Sequence, residues 1–287
     1  MMAEDHAGSN YICLMRSAGE ENSLSINTLK KISENELDAI KQDDKIVRDY
    51  FHSKNVLDSV CANRDDIIKA MVEAGNAYVT RLDIVEQIMD NALFDIARLI
   101  ANTCSLFRSF VDHSDRSLAK IFGKESAEYA SWKAILSEEY DSNPHYRLMY
   151  HMRNYIQHYD MPPLGINFFE SKEEVTMDIS IDIKYLEEDK NMTRKLPKEM
   201  VERGNKISVI EVLSRWDKSL DRLADYVLRL KISQSIDAAR RIASMRFGEE
   251  IAIDGKLVVI WLPHFDNKPD KLSLNMFNIS EKKLDKL

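Results

Sequence analysis

Apolar residues recur at intervals of three and four along much of the chain, a spacing typical of helices packed against a core. The clearest stripe consists of Leu82, Val85, Ile88, Met89, Ala92, Leu93, Ile96, Leu99, Ile100, Thr103, Phe107 and Phe110. The same spacing predicts helices from Ile26 to Phe51, with a break around Ser33 to Asn35, and from about Ile207 to Arg246. We therefore predict a mainly α fold in which this stripe lies on a core helix of a bundle.

Capping residues and prolines delimit two shorter helices. One is predicted from about Ser126 to Ser137. The sequence DSNP at residues 141–144 offers N-cap side chains and a proline suited to a first helical turn. Because two successive prolines cannot continue a helix, the next helix is predicted to begin near Pro144 and to end before Pro162.

Two segments alternate apolar and polar residues, which predicts strands. One lies near residues 173–186, and the other, EIAIDGKLVVIW near residues 250–261, predicts a β-hairpin with its turn at Asp254-Gly255. Residues 1–25 lack periodicity and are predicted to form a flexible arm. The expected organisation is this arm, a helical region at 26–163, a β insertion at 164–190, and a segment 191–287 carrying a long helix that completes the bundle and the C-terminal hairpin.

Composition narrows the function classes. A net charge of −8 excludes broad, sequence-blind coating of nucleic acid, although it leaves room for a local positive site. The three cysteines lie far apart, so neither a disulfide framework nor a zinc cluster is indicated. The chain starts without a signal-like segment and has no apolar run near the roughly 18 residues of a membrane span, which favours a cytoplasmic protein with no membrane partner.

The predicted helix after Pro144 is unusual for an acidic chain. No Asp or Glu occurs from Ser142 to Tyr159, although the protein has 48 acidic residues. Its polar residues Arg147, His151, Asn154 and His158 follow one another at intervals of four, three and four, which predicts one shared helical face. Cationic side chains on an acid-free face are suited to binding phosphate.

Within this helix, residues 153–158 spell RNYIQH. This resembles the R-x4-6-H signature of the HEPN superfamily of helical ribonucleases, in the stricter form with Asn, Asp or His after the Arg. A second match to the loose spacing, RSFVDH from Arg108 to His113, has Ser109 at that position. The resemblance is therefore carried by Arg153, Asn154 and His158.

The resemblance implies a HEPN-like helical bundle that cleaves RNA, such as tRNA or mRNA, without metal or cofactor. In such a reaction His158 would take the proton from the ribose 2′-OH or deliver one to the leaving 5′-oxygen, and Arg153 would hold the phosphate. Asn154 would orient the imidazole or hydrogen-bond the phosphate. Arg147 and His151 are expected to bind substrate. Because Arg153 and His158 lie about 140° apart on the helix, both would meet one phosphate in a homodimer.

The family also implies a setting in toxin or phage-defence systems, with a regulatory partner protein. Members of the superfamily that act as toxins often carry a tyrosine two positions after the motif His, where this chain has Asp160. Asp160 is expected to hydrogen-bond His158 instead. Zinc binding by His145, His151 and His158 is not indicated, because their spacing of six and seven residues puts neighbouring pairs at least about 9 Å apart along a helix.

Two other readings of the sequence stay open. The helix could belong to a HEPN-like module that dimerises and acts as a non-catalytic adaptor. Alternatively, RNYIQH could be an accidental match in an unrelated helical scaffold. A nuclease requires Arg153 and His158 to be accessible in a common cleft, whereas an adaptor requires an apolar surface at which the helix is covered.

Overall fold

The structure is a computed structural model that describes residues 9–18, 23–80, 85–170, 175–188, 206–244, 256–262 and 275–278. These residues form a mainly helical fold with two small antiparallel sheets, which confirms the predicted α class with a β addition. The elements are β1 (Ser9–Ala18), β2 (Ser23–Ile32), α1 (Glu34–Thr80), α2 (Val85–Phe122), α3 (Ala127–Ser142), α4 (Pro144–His158), β3 (Leu164–Glu170), β4 (Val175–Asp182), a 3-10 helix (Ile183–Glu188), β5 (Lys206–Ser208), α5 (Val209–Ser244), β6 (Lys256–Leu262) and β7 (Asn275–Asn278).

Helix α1 begins with a reciprocal cap. The hydroxyl of Ser33 accepts the backbone N–H of Glu36 at 3.2 Å, and the Glu36 carboxylate accepts the backbone N–H of Ser33 at 2.8 Å. Lys30 also donates to Glu36, and this hydrogen bond, followed by those from Ser33, lowers the pKa of Glu36 to about 2. The break predicted around Ser33 is therefore the start of a long helix.

The boundaries predicted for α4 are confirmed. Asn143 caps the helix by accepting the backbone N–H groups of His145 and Tyr146 through its side-chain oxygen, and Pro144 occupies the first turn. The helix ends at His158, and Tyr159 forms its C-cap before Pro162. The preceding helix α3 starts at the predicted place with Ser126 as its cap, and runs five residues beyond Ser137 to Ser142.

From Val85 to Phe110 the predicted apolar stripe lies on α2 and supplies the core around α4 and α5, whereas its first member, Leu82, lies outside the described residues. Its buried members include Ile96, Ile100, Phe107 and Phe110. Phe107 meets the rings of Tyr146 on α4 and Trp216 on α5 edge-on, with centroid distances of 5.5 and 5.2 Å. Helix α5 contributes a buried face as predicted, made of Leu213, Trp216, Leu220, Leu223 and Val227.

The three-stranded sheet has the order β3-β4-β5 and is antiparallel throughout. The strand predicted near residues 173–186 is confirmed over Val175–Asp182. From Ile183 the chain turns into the 3-10 helix, because the Asp182 carboxylate accepts the backbone N–H of Lys184 at 3.0 Å and thereby bends the chain. Strand β3 was not predicted individually, although it lies within the expected β insertion.

The four-stranded sheet has the order β2-β1-β6-β7, and two predictions for the N-terminal residues are wrong. Most of the predicted flexible arm is strand β1 and the start of β2, and the helix expected from Ile26 begins at Glu34 instead, because Ser23–Ile32 pairs with β1. The second half of the hairpin predicted near residues 250–261 is strand β6, which pairs with β1 on one edge and with β7 on the other. The predicted turn at Asp254-Gly255 lies outside the described residues.

Contacts divide the chain into two compact units. Unit 1 comprises Met1–His52 with Arg229–Leu287, and unit 2 comprises Ser53–Leu228. No helix in the described ranges is long and apolar enough to cross a membrane.

Candidate functional site on helix α4

Helix α4 lies in unit 2 and has one apolar side and one polar side. The apolar side is fully buried and consists of Leu148, Met149, Met152 and Tyr155. The polar side bears the motif residues at the C-terminal half of the helix, with Arg153 and Asn154 half-buried and His158 exposed. The packing of the apolar side thus fixes the helix and leaves the RNYIQH residues within reach of solvent.

Arg153 and Asn154 contact each other directly. The guanidinium Nη1 of Arg153 donates to the side-chain oxygen of Asn154 at 3.3 Å. Within the described part of the chain, Arg153 forms no ion pair with a carboxylate, whereas Arg108, Arg222 and Arg241 each do. Among the described residues, no carboxylate therefore neutralises Arg153, and its guanidinium is held by the neutral side-chain amide of Asn154.

His158 lies at the C-terminus of α4 with its imidazole exposed. Among the residues described, its ring has no hydrogen-bond partner. The predicted hydrogen bond between His158 and the Asp160 carboxylate is absent from the described residues, and Asp160 Oδ1 accepts the backbone N–H of Met161 at 2.7 Å instead. His158 is thus free to meet a substrate or a second protein.

His151 differs sharply from His158, although their spacing predicts the same helical face. Its side chain is buried at 3% exposure, and its Nε2 lies 2.8 Å from the hydroxyl of Tyr140 on α3. The rings of Tyr140 and Tyr150 also flank it, at 5.8 and 5.3 Å. The predicted substrate-binding role would therefore require α3 to move, and in this structure His151 is a hydrogen-bonded packing residue.

Arg147 is held close to the same tyrosine. Its Nη1 donates to the backbone carbonyl of Asp141 at 3.2 Å, and its guanidinium lies 6.0 Å from the centroid of the Tyr140 ring. The face predicted for Arg147, His151, Asn154 and His158 is consequently divided. Its N-terminal part is engaged by α3, and its C-terminal part is accessible.

A cavity of about 460 Å³ opens between α2, α3 and α4. It is lined by charged and aromatic side chains that include Arg108, Asp112, Asp115, Lys133, Tyr146 and Tyr150. Arg108 is the arginine of the second motif-like match, and it forms an ion pair with Asp112 at 3.0 Å. No pattern in the sequence predicts this cavity, because its residues come from three helices and follow no common spacing.

Comparison of the chain with protein-family models, curated proteins and solved structures finds no match in any of the three. Across the described ranges, no group of three His, Cys, Asp or Glu side chains is arranged to hold a metal ion. The function therefore has to be inferred from the geometry of α4 and its surroundings.

Proposed function

We propose that this protein is a HEPN-like endoribonuclease that cleaves RNA by attack of the ribose 2′-OH, with a composite site formed by two copies of α4. The observation that carries the proposal is the arrangement of the RNYIQH residues. An arginine without a carboxylate partner among the described residues and an exposed histidine lie on the polar side of one helix whose apolar side is buried. An enzyme that stabilises a phosphorane with a fixed cation and moves protons with an imidazole needs these two groups.

In the proposed reaction the 2′-oxygen attacks phosphorus and the bond from phosphorus to the 5′-oxygen breaks. The His158 imidazole accepts the 2′-OH proton, and the leaving 5′-oxygen takes a proton from water. Arg153 binds the non-bridging oxygens as negative charge builds on them, and Asn154 holds the guanidinium through its side-chain oxygen. The products are a 2′,3′-cyclic phosphate and a 5′-hydroxyl, and DNA is not cut because it lacks the nucleophile.

A dimer follows from the helix geometry. Arg153 and His158 leave α4 about 140° apart and about 7.5 Å apart along the axis, so one helix aims them poorly at one phosphate. A two-fold axis passing beside α4 brings the Arg153 of one protomer opposite the His158 of its partner. Tyr159 and Met161, which are exposed at 51% and 39%, offer apolar area at this end of the helix for such an interface.

The same exposed apolar residues favour a second candidate function, in which α4 mediates dimerisation in a non-catalytic adaptor. The two proposals differ in what happens to the motif side chains. An adaptor would cover His158 without requiring its chemistry, so replacing the imidazole would leave the function of the adaptor intact.

The test is cleavage of total RNA and tRNA in EDTA, followed by mass analysis of the product ends. Wild type is expected to yield cyclic phosphates. His158→Ala is expected to lower the rate by about 100-fold or more, since general acid–base catalysis contributes about 10²–10⁴. His113→Ala, which removes the histidine of the second motif-like match on α2, serves as the matched control and should retain activity. Loss of activity in both variants, or in neither, would contradict the proposed role of His158.

A further inference from the structure

The cavity between α2, α3 and α4 is large enough for a nucleobase and has walls of suitable chemistry. Its volume of about 460 Å³ falls within the range of small-molecule sites. The tyrosines Tyr140, Tyr146 and Tyr150 line it together with the Arg108 guanidinium, which lies over the Tyr150 ring at 5.0 Å from its centroid. Nucleobases stack on both kinds of surface, on tyrosine rings and on arginine planes.

The charged groups of the cavity neutralise one another. Arg108 pairs with Asp112 through two contacts of 3.0 and 3.1 Å. Lys133 Nζ lies 3.0 Å from Asp115 Oδ1. Two cations thus face two anions, and the site as a whole selects neither a phosphate nor a simple cation. A neutral aromatic ligand with hydrogen-bonding edges fits this balance.

Tyr146 supplies a hydroxyl that can hydrogen-bond a ligand in the cavity. Its side chain is only 2% exposed and lines the cavity. The residues described here offer its hydroxyl no hydrogen bond, and burial raises the pKa of this phenol above its ordinary value. A hydroxyl that lines a cavity can hydrogen-bond a ligand atom placed there, and this hydrogen bond would add to the affinity.

The cavity and the motif share a face of α4. Tyr146, Tyr150, Arg153 and Asn154 follow at intervals of four, three and one residues, which places them along one side of the helix. Tyr150 is separated from Arg153 by about 4.5 Å along the axis. A base in the cavity would therefore belong to a nucleotide close to the phosphate that Arg153 holds.

We infer that this cavity binds a nucleobase next to the scissile phosphate, and that the base is guanine. This inference rests on the proposed RNA cleavage. The pair of Lys133 and Asp115 presents a donor beside an acceptor. Guanine presents the complementary edge, with the O6 acceptor beside the N1–H and N2–H donors. Asp115 already accepts from Lys133 and from the Tyr129 hydroxyl, and a carboxylate has about four acceptor positions, so it can accept further hydrogen bonds.

The first experiment measures binding without cleavage. The full chain is titrated calorimetrically with the 5′-monophosphates of guanosine, adenosine, cytidine and uridine. We expect guanosine monophosphate to bind about tenfold or more tightly than the others. Tyr146→Phe, which removes only the hydroxyl, should weaken it about fivefold, and Asp115→Asn at least about tenfold. Tyr185→Phe, which alters an exposed phenol outside the cavity, is the control and should bind as wild type does.

Equal binding of the four nucleotides, or no binding at millimolar concentration, would overturn the assignment. So would guanosine binding that Tyr146→Phe and Asp115→Asn leave unchanged while circular dichroism shows both variants folded. These results do not depend on whether the protein cleaves RNA.

The second experiment maps the cut positions and separates the two proposals. Wild type is expected to cut next to guanine, and Asp115→Asn should cut with a weaker preference. Cleavage by wild type without regard to the neighbouring base would refute the cavity assignment and leave the nuclease proposal standing. Guanosine binding that depends on the cavity, in a protein that leaves all RNA intact, would refute the nuclease proposal alone.

Discussion

A composite active site predicts that two inactive variants restore each other. In Arg153→Ala the cation is lost, and in His158→Ala the imidazole is lost, so neither homodimer can cleave. A heterodimer of the two variants retains one arginine and one histidine, on different chains. Because these side chains diverge by about 140° on their own helix, the proposed site uses the arginine of one protomer with the histidine of its partner.

The expected magnitude follows from the symmetry. A two-fold dimer contains two such combinations of arginine and histidine. In the mixed heterodimer one combination lacks both groups and the other is complete, which predicts about half the activity of wild type. The homodimers are expected to fall about 100-fold or more below wild type.

A second heterodimer distinguishes a composite site from a site contained in one chain. It pairs a wild-type chain with a chain that carries both substitutions. A composite site then has no complete combination and should be inactive, whereas a site contained in one chain would keep about half the activity. The two architectures therefore predict opposite results in the two heterodimers.

The assay uses heterodimers obtained by co-expression of two differently tagged chains and two successive affinity steps. Cleavage of tRNA in EDTA is followed by gel, and size-exclusion chromatography confirms that each species is a dimer. Activity in the wild-type and double-variant heterodimer together with inactivity in the mixed one would refute the composite site. A monomeric wild type that cleaves RNA would refute it as well.

The remaining predictions concern stability. Asp49→Asn should lower the free energy of unfolding by about 3 kcal/mol, because the paired ammonium of Lys231, 2.8 Å away and 2% exposed, would be left buried beside a neutral amide. Burial lowers the pKa of Lys231 in the folded protein. Between this lowered pKa and about 10.4, the unfolded chain therefore binds more protons than the folded one, and the free energy of unfolding should rise with pH. The Glu36 pKa of about 2, caused first by Lys30, predicts that stability from this cap is lost as pH falls from about 4.3 towards 2. Phe107→Ala, which empties the contact shared by α2, α4 and α5, should cost about 3–5 kcal/mol.

Matched variants control each of these measurements, all made by urea unfolding. Lys231→Met should lie within about 1 kcal/mol of wild type, because it removes both the charge and its desolvation cost. Glu36→Gln should lose the acid dependence assigned to the cap. Phe94→Ala, at a position that is 64% exposed, should change stability by no more than about 0.5 kcal/mol. Equal effects at Phe94 and Phe107 would contradict the described core.

Local sequence determined the helices around the site. Asn143 and Pro144 start α4 for two local reasons. The Asn143 side chain accepts the first backbone N–H groups of the helix, and proline has no backbone N–H that would need a partner in the first turn. The α2 stripe predicted a buried face because its spacing follows the helical period, and Phe107 and Phe110 are buried accordingly. The motif residues Arg153, Asn154 and His158 likewise came from the sequence, and their roles stay predictions.

Only the tertiary structure decided which of these residues are accessible and what surrounds them. His151 and His158 were predicted to lie on the same face of α4. In the structure His151 is buried beside the hydroxyl of Tyr140, whereas His158 is exposed. The sequence pattern did not predict strand β1. One of its two partners, β6, lies more than 200 residues away, and pairing over that distance leaves no local pattern in the sequence. The cavity assembles Arg108, Lys133 and Tyr150 from three helices. Helical periodicity reports which side of a helix is buried, but contacts between helices depend on packing that no single segment encodes.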